Sequence, residues 1–287
     1  MRRCCFLSMD SLDGYVSDDE LAVPPLSRLG YNVETVSWRS PNTDWSAFDI
    51  VVIRTPWDYQ NDPEQFLDVL AQIESSGTSL ENPLSLAKWN FDKRYLIDLE
   101  SKGIPIVPTL WGEGEFTADD VAGWLTRLDT PEVVIKPTVS ATAQDTYRLT
   151  GFDPAIAARF RGRSFMVQPF VQAIVDEGEY SVFYFNGEFS HAILKTPKPR
   201  DFRVQEEHGG IITAVGPEAG LLAAAHAVAA IIVPEPLYSR IDLVRGPEGG
   251  FRIMELELIE PALYLRMDSD APARFAAAID RRMRETV

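Results

Sequence analysis

Apolar and polar positions along the first ninety residues alternate between two periods, and the alternation sets out strands and helices in turn. The run "RCCFLSM" (3–9) predicts a strand that ends in an acidic loop at Asp10 and Asp13. In "SDDELAVPPLSRLG" a Ser-Asp cap signal precedes Pro24 and Pro25, predicting a helix that stops at Gly30. "YNVETVSW" (31–38) and "DIVVIR" (49–54) predict two more strands. The clearest helix is "NDPEQFLDVLAQIESSG": Asp62 stands at the cap, Pro63 at the first helical position, and Phe66, Leu67, Leu70 and Ile73 form one apolar stripe. Strands alternating with helices imply an open parallel sheet, whose ligand sites lie beyond the carboxyl ends of its strands. The stretch "RTPWDY" (54–59) occupies such a place.

The pattern then changes. Residues 81–103 predict a turn, a short helix and a longer helix from Asp92. After Gly103 come "IPIVPT", a helix near "TADDVAGWLTRL" and the strand "EVVIKP". A third block holds "SFMVQPF", a hairpin over 177–197 with Asn186-Gly187 at its turn, a basic loop and the helix "EAGLLAAAHAVAAII". The strands "YSRIDLV" and "FRIMELEL" follow, then a last helix from about Pro272. The expected organisation is α/β with α+β lobes: an open α/β domain over 1–90, a small lobe over 91–165 and a larger lobe over 166–287. The chain contains no internal repeat and no low-complexity segment.

Composition narrows the function classes. The chain has 287 residues, 45% hydrophobic and 24% charged, with a formal net charge of −16. Such a charge disfavours nucleic acid and anionic membrane surfaces as partners and points to small molecules. No stretch approaches the ~20 apolar residues of a membrane span. Cys4 and Cys5 are adjacent, too close for ordinary disulfide geometry, and read as buried reduced thiols of a cytoplasmic protein. The basic start "MRRCC" leads into an apolar run too short for a signal peptide. A homodimer would be the commonest assembly for such a chain.

Against this acidic background, three clusters of residues invite chemistry. "RIMELELIEP" (252–261) puts Glu255 and Glu257 on one face of a strand, with Glu260 close behind. The flanking Pro-Glu-Gly-Gly turn predicts antiparallel pairing with the strand that carries Asp242. Three convergent carboxylates suit hard divalent cations, Mg²⁺ above all, with Mn²⁺ as an alternative. The plainer reading is a half-exposed sheet whose acids face water. The second cluster is cationic. Lys93 lies in "WNFDKRYL", and Lys136 ends an apolar strand ahead of a small polar loop, 138–146. The basic loop "LKTPKPRDFR" adds Lys195, Lys198, Arg200 and Arg203, of which Arg203 is the best bidentate phosphate ligand. A solvated lysine or hairpin end is the bland alternative. Third, "MVQPFV" interrupts a strand with proline, freeing backbone groups over Gln168, Pro169, Phe170 and Val171 that can meet a purine edge. Glu179 follows, placed to accept from ribose hydroxyls.

Taken along the chain as Lys93, Lys136, the "QPFV" hinge, Glu179, the basic loop with Arg203, Asp242 and then the E-x-E strand, the clusters resemble the ATP-grasp superfamily over roughly residues 85–265, and the leading α/β unit resembles the domain that usually precedes it. The resemblance implies three domains with ATP clamped between the second and third. It implies that Lys93 and Lys136 hold phosphates, that Gln168 to Val171 line the adenine, and that Glu179 binds the ribose. Asp242, Glu255 and Glu257 would hold Mg²⁺, and Arg203, with Lys195 nearby, would stabilise the transferred phosphoryl group. Two departures stand out: E-x-E where many members have E-x-N, and a lid stretch, 138–146, without glycine. The stretches "WDY", "WNFDKRYL", "DFRVQEEHGG" and "MELELIEP" are similar to the subgroup that includes the O-ureido-D-serine cyclo-ligase of cycloserine biosynthesis.

The reaction so implied joins a carboxylate to an amine through an acyl phosphate, between two molecules or within one. An acceptor pocket is expected between the first and third domains. Arg54 would pair a substrate carboxylate, with Trp57, Asp58 and Tyr59 beside it. Glu206, Glu207 and His208 lie in the basic loop, and Glu207 or His208 would take an amine proton. The competing view of Trp57 and Tyr59 is that they pack a domain interface. His191 and His226 read as structural. The rival functions are a nucleotide-binding member without turnover and an acidic metal or scaffold protein without nucleotide.

Overall fold

The computed structural model describes residues 1–141, 143–199 and 201–285. Three sheets organise it. The first contains β1 (Arg2–Ser8), β2 (Tyr31–Ser37), β3 (Ile50–Thr55) and β4 (Ser79–Glu81), all parallel in the order β2-β1-β3-β4. Every residue of β3 is buried. That is why its sequence reads as a continuous apolar run and not as an alternation. The connections carry α1 (Val23–Arg28) and α2 (Pro63–Ser75). Phe66, Leu70 and Ile73 of α2 are buried as the stripe requires, with Leu67 half-buried. Asp62 occupies the cap position of α2, but its side chain makes no capping bond.

α3 (Leu84–Asn90) and α4 (Tyr95–Ser101) are of equal length, seven residues each, and no long helix starts at Asp92. The Asp92 carboxylate instead accepts from the Arg94 N–H and from the Thr138 hydroxyl, holding a turn. Leu86, Tyr95, Leu96 and Leu99 from these helices pack into the core of the last sheet with Val182, Ile241 and Leu256.

The middle sheet is antiparallel, in the order β5-β8-β6-β7. Its strands are β5 (Leu110–Glu113), β6 (Val133–Pro137), β7 (Tyr147–Leu149) and β8 (Ser164–Pro169), with α5 (Ala118–Arg127) and α6 (Pro154–Arg159) between them. A reciprocal capping box of Thr117 and Asp120 starts α5. Phe116, Trp124, Phe160 and Phe165 fill a core separate from the others. β8 pairs on both sides within this sheet, so the expected break at 165/166 falls inside a strand and the middle lobe runs on to Pro169.

After α7 (Gln172–Asp176) comes the last sheet, order β11-β10-β9-β12-β13. It comprises β9 (Glu179–Phe185), β10 (Glu188–Thr196), β11 (Ile211–Ala214), β12 (Tyr238–Arg245) and β13 (Phe251–Glu257), covered by α8 (Ala219–Ala229) and α9 (Ala271–Glu285). Asn186 and Gly187 both take positive φ, 47° and 70°, at the β9–β10 turn, as a tight two-residue hairpin demands. The first and last lobes share one core. Phe6, Tyr31 and Ile50 meet Phe183, Tyr238 and Phe275. Cys4 and Cys5 are buried free thiols on opposite faces of β1, and burial pushes both above the ordinary thiol range. Among the described residues no helix is long and apolar enough to cross a membrane.

Candidate active site

A cleft of about 1300 Å³, mouth included, lies between the middle sheet and the last one, with Trp57 of the first lobe at one end. Its floor is the β9–β10–β12–β13 face. β12 and β13 pair antiparallel with Asp242 opposite Glu255 and Arg240 opposite Glu257, so the two-residue period brings all four to one patch. Carboxylate oxygens of Asp242, Glu255 and Glu257 lie within 4.8 Å of one another.

These acids do not face open water. Arg240 donates to both Asp242 oxygens, at 3.0–3.2 Å, and also bonds Glu257. Lys195, opposite Glu179 in the β9–β10 register, lies 2.5 Å from Glu179 and 3.1 Å from Asp242. Ser181 donates to Asp242 at 2.5 Å. Burial pushes Asp242 up, but Arg240 and Lys195 outweigh it and bring the carboxyl down to about 2. Glu255 is likewise held low: against its burial stand Lys93, at 3.0 Å, and Lys136. Glu257 and Glu260 go the other way. Burial, with neighbouring acids, raises Glu257 to about 8 despite Arg240, and raises Glu260 to about 7 despite Lys93 and the Tyr59 hydroxyl. Burial also raises Glu179, helped by nearby Asp242 and Glu255 and opposed by Lys195. The floor therefore holds more carboxylate than its own cations neutralise. A hard divalent cation fits this all-oxygen donor set.

The opposite wall supplies cations. Lys93 follows α3; its Nζ donates to the Ser140 carbonyl at 2.7 Å and its backbone N–H to Thr138 at 2.8 Å. Lys136 of β6 lines the cleft, and among the described residues it makes no ion pair. Burial, joined by the nearby Lys93, lowers it against the pull of Glu255. A half-buried ammonium without a partner is costly unless an anion arrives. At the hinge, Gln168 donates to Thr109 at 3.0 Å and lies buried. Phe170 gives its N–H to Glu132, and the Val171 carbonyl accepts from Ile174. The proline thus frees fewer backbone groups than expected; among the described residues the Val171 N–H has no protein partner. Pro169, Phe170 and Val171 line this end of the cleft.

Arg203 lines the cleft but is folded back on Asp201, with bonds of 3.1 and 2.9 Å. Phe202, Val204, Gln205 and Glu207 from the same loop line it too, whereas Arg200 lies outside the described residues. Loop 201–208 covers the cleft alongside Ser140 and Ala141 of the 138–146 stretch.

Three expected positions are corrected. Arg54 is wholly buried: its guanidinium donates to Asp19 and to the carbonyls of Ile53 and Pro261, and lies over the Tyr238 ring at 5.0 Å. It staples the first lobe to the last and does not reach the cleft. Asp58 accepts from the Trp38 indole at 2.7 Å and from Arg39 at 3.0 Å, and is not among the residues that line the cleft. His208 ends a short turn and is not among the lining residues. Trp57 lines the cleft, and its indole donates to the Glu260 carbonyl across the lobe boundary. Tyr59 packs against Phe66 and Phe91.

Sequence reasoning missed Arg240 and Tyr264, and noted Glu260 beside the acid pair without giving it a role; all three line the cleft. Arg240 was within reach: it stands two residues before Asp242 and so shares its face. Tyr264 carried no signal: it lies beyond the strand period, in a left-handed backbone conformation with φ of 46°.

Comparison with known proteins agrees with this geometry. Residues 4–82 match the family model described as the N-terminal domain of D-cycloserine synthetase DcsG. The cycloserine biosynthesis protein DcsG of Streptomyces lavendulae is 33% identical over 284 residues, covering 91% of this chain and 94% of the relative. The crystal structure of D-cycloserine synthetase DcsG superimposes with a TM-score of 0.84 at 28% identity, over 98% of this chain and 99% of the other. The ATP-grasp ligase PsnB, solved with a precursor variant, Mg and ADP, gives 0.67 at 14% identity over 98% of each chain, a likeness of fold. With a third of its residues shared along nearly all of DcsG, and a backbone that follows the synthetase from end to end, the chain belongs to the D-cycloserine synthetase family of ATP-grasp ligases.

Proposed function

We propose that this ligase is ATP- and Mg²⁺-dependent and joins a carboxylate to an amine on a small amino-acid-like substrate through an acyl phosphate, with ring closure within one molecule as the favoured form. One observation carries the reading: a convergent trio of acids faces the half-buried Lys136, which makes no ion pair among the described residues, across a single cleft. A phosphate-free metal scaffold has no use for that lysine.

Each residue has a physical task. Lys93 and Lys136 draw the phosphate chain against the middle lobe. Val171 offers its N–H to the purine edge, and Glu179 stands beneath the sugar. Asp242, Glu255 and Glu257 would hold Mg²⁺, which neutralises phosphate charge when bound. Arg203, released from Asp201, and Lys195 face the transferred phosphoryl group. The substrate carboxylate oxygen bonds the γ-phosphorus and ADP leaves. The amine nitrogen then bonds the acyl carbon and phosphate leaves. Glu260, near neutral pH in its proton affinity, and Glu207 are the carboxylates able to take the amine proton. The substrate end of the cleft is the one lined by Trp57, Glu260 and Tyr264. The buried reduced thiols suit a cytoplasmic setting.

A phosphate-release screen of D- and L-amino acids and small ureido compounds with ATP and Mg²⁺ tests the reading. Hydroxylamine added to the active mixture should give a hydroxamate in step with ADP. ADP formation that no carboxylate accelerates would refute it.

A further inference from the structure

Arg266 sits past the metal strand, in a short turn over Leu265–Met267. Its guanidinium faces two ways. One terminal nitrogen lies 2.9 Å from both oxygens of Asp18, in the first lobe. The other lies 2.7 Å from both oxygens of Glu206, on loop 201–208. Its backbone N–H also reaches Asp18, at 3.3 Å, and its plane rests 5.1 Å above the Tyr264 ring. A planar fork can give each of two carboxylates its own terminal nitrogen in this way, with both oxygens of each in reach.

The loop so held is the one that covers the cleft. At its near end Phe202 meets the hinge residue Phe170 edge-on, 6.0 Å between centroids. At its far end Glu206 meets Arg266. The other ion pairs of the loop, Asp201 with Arg203 and Lys198, are internal to 198–203. Among the described residues Glu206–Arg266 is therefore the one ion pair tying the loop to the body of the protein. Among the described residues the Arg203 side chain bonds only Asp201, its own near neighbour, so its position follows wherever the loop goes.

We propose that Arg266 is a positioning residue: by bridging Asp18 and Glu206 it holds loop 201–208 over the cleft and so sets where Arg203 and Glu207 stand. The kinetic consequence rests on the ligase reading; the closure of the loop does not. Arg266 touches no reacting atom.

The test uses the full chain with Arg266→Ala, Arg266→Lys, Glu206→Gln and, as control, Arg281→Ala, an exposed arginine paired with Glu188. Trypsin cleavage of the Arg203–Val204 bond is followed by mass spectrometry, with and without AMPPNP and Mg²⁺. Arg266→Ala should speed cleavage at that bond about tenfold while leaving cleavage elsewhere nearly unchanged, with a modest fall in melting temperature because Asp18 loses its partner. Glu206→Gln should match it, Arg266→Lys should fall between, and Arg281→Ala should behave as wild type. In ADP formation, Arg266→Ala should lower kcat about tenfold with a smaller change in the KM for ATP, and Arg266→Lys should recover part of it. Cleavage within about twofold of wild type in both Arg266→Ala and Glu206→Gln overturns the proposal. So does acceleration spread evenly over all tryptic sites, which would mean general unfolding. Wild type that AMPPNP with Mg²⁺ neither protects nor stabilises would count against the ligase reading alone, since the cleavage contrast without nucleotide stands apart from it.

Discussion

Arg240 and Glu257 stand directly opposite each other across the β12–β13 pair, and their side chains bond on the cleft face. The same guanidinium holds Asp242, two residues along its own strand. Arg240 is thus the internal counter-charge of the proposed cation site. Its replacement by Met should leave Glu257 without its cation and Asp242 with Lys195 alone, costing roughly 3 kcal/mol in metal-free protein. Urea unfolding measures the loss. Millimolar Mg²⁺ should restore part of it, because a cation takes over the neutralising role. Unchanged metal-free stability would show that Arg240 is not the charge that balances the trio.

Glu257→Gln is the complementary change. It removes one donor from the trio and also one buried acid that burial makes costly to ionise. Metal-free stability at pH 8 should rise slightly, while ADP formation should fall by about a hundredfold or more, as when a group acting on developing charge is lost. Activity within about twofold of wild type would remove Glu257 from the site.

How far the sequence revealed this architecture depended on period and length. Glu255 and Glu257 were legible as a pair because a two-residue period puts them on one face. Asp242 joins them through a register shift between Asp242 and Leu243; the regular pairing counted from the turn would have set it opposite Met254, and no local pattern announces that shift. The parallel first sheet was legible from its apolar runs. β4, β5, β7 and β11 are three or four residues long and carry no countable pattern. Arg54 misled for another reason. An arginine at a strand end looks like a ligand for an anion, and only the contact with Pro261, 207 residues away, turns it into a staple between lobes. Asp58 misled likewise, through Trp38 and Arg39. Such pairings are long-range and leave no local trace.

Lys136 and Lys93 look equivalent in the sequence and differ in the structure. Lys93 is already paired with Glu255, and Lys136 has no ion pair among the described residues. Lys136→Met should therefore leave the melting temperature equal to wild type or higher, since an uncompensated half-buried charge is removed. It should weaken AMPPNP–Mg²⁺ binding by about tenfold or more. Lys93→Met should weaken binding and also destabilise the protein, because it strands Glu255. Calorimetric titration together with thermal melts separates the two. Equal stability loss in both variants would contradict the assigned difference.

The raised acids give the protein a pH signature. Burial lifts Glu257 to about 8 and Glu260 to about 7, well above the ordinary glutamate value of 4.5. Between that value and 7–8, the folded protein holds protons that the unfolded chain has released. Stability then falls as pH rises through this window. Asp242 and Glu255 shift the other way, but they lose their contribution only in acid, outside it. Metal-free protein should melt several degrees lower at pH 8.5 than at pH 5.5. Its acidic surface contributes to any such drop, so the informative quantity is the difference from Glu257→Gln, in which the drop should shrink. A divalent cation competes with those protons, so the stabilisation by Mg²⁺ should grow from pH 5.5 to 8.5 in wild type and grow less in Glu257→Gln. Melting curves over that range decide it. A drop of the same size in both proteins would mean that Glu257 ionises normally and that the trio does not store charge in wait for a cation.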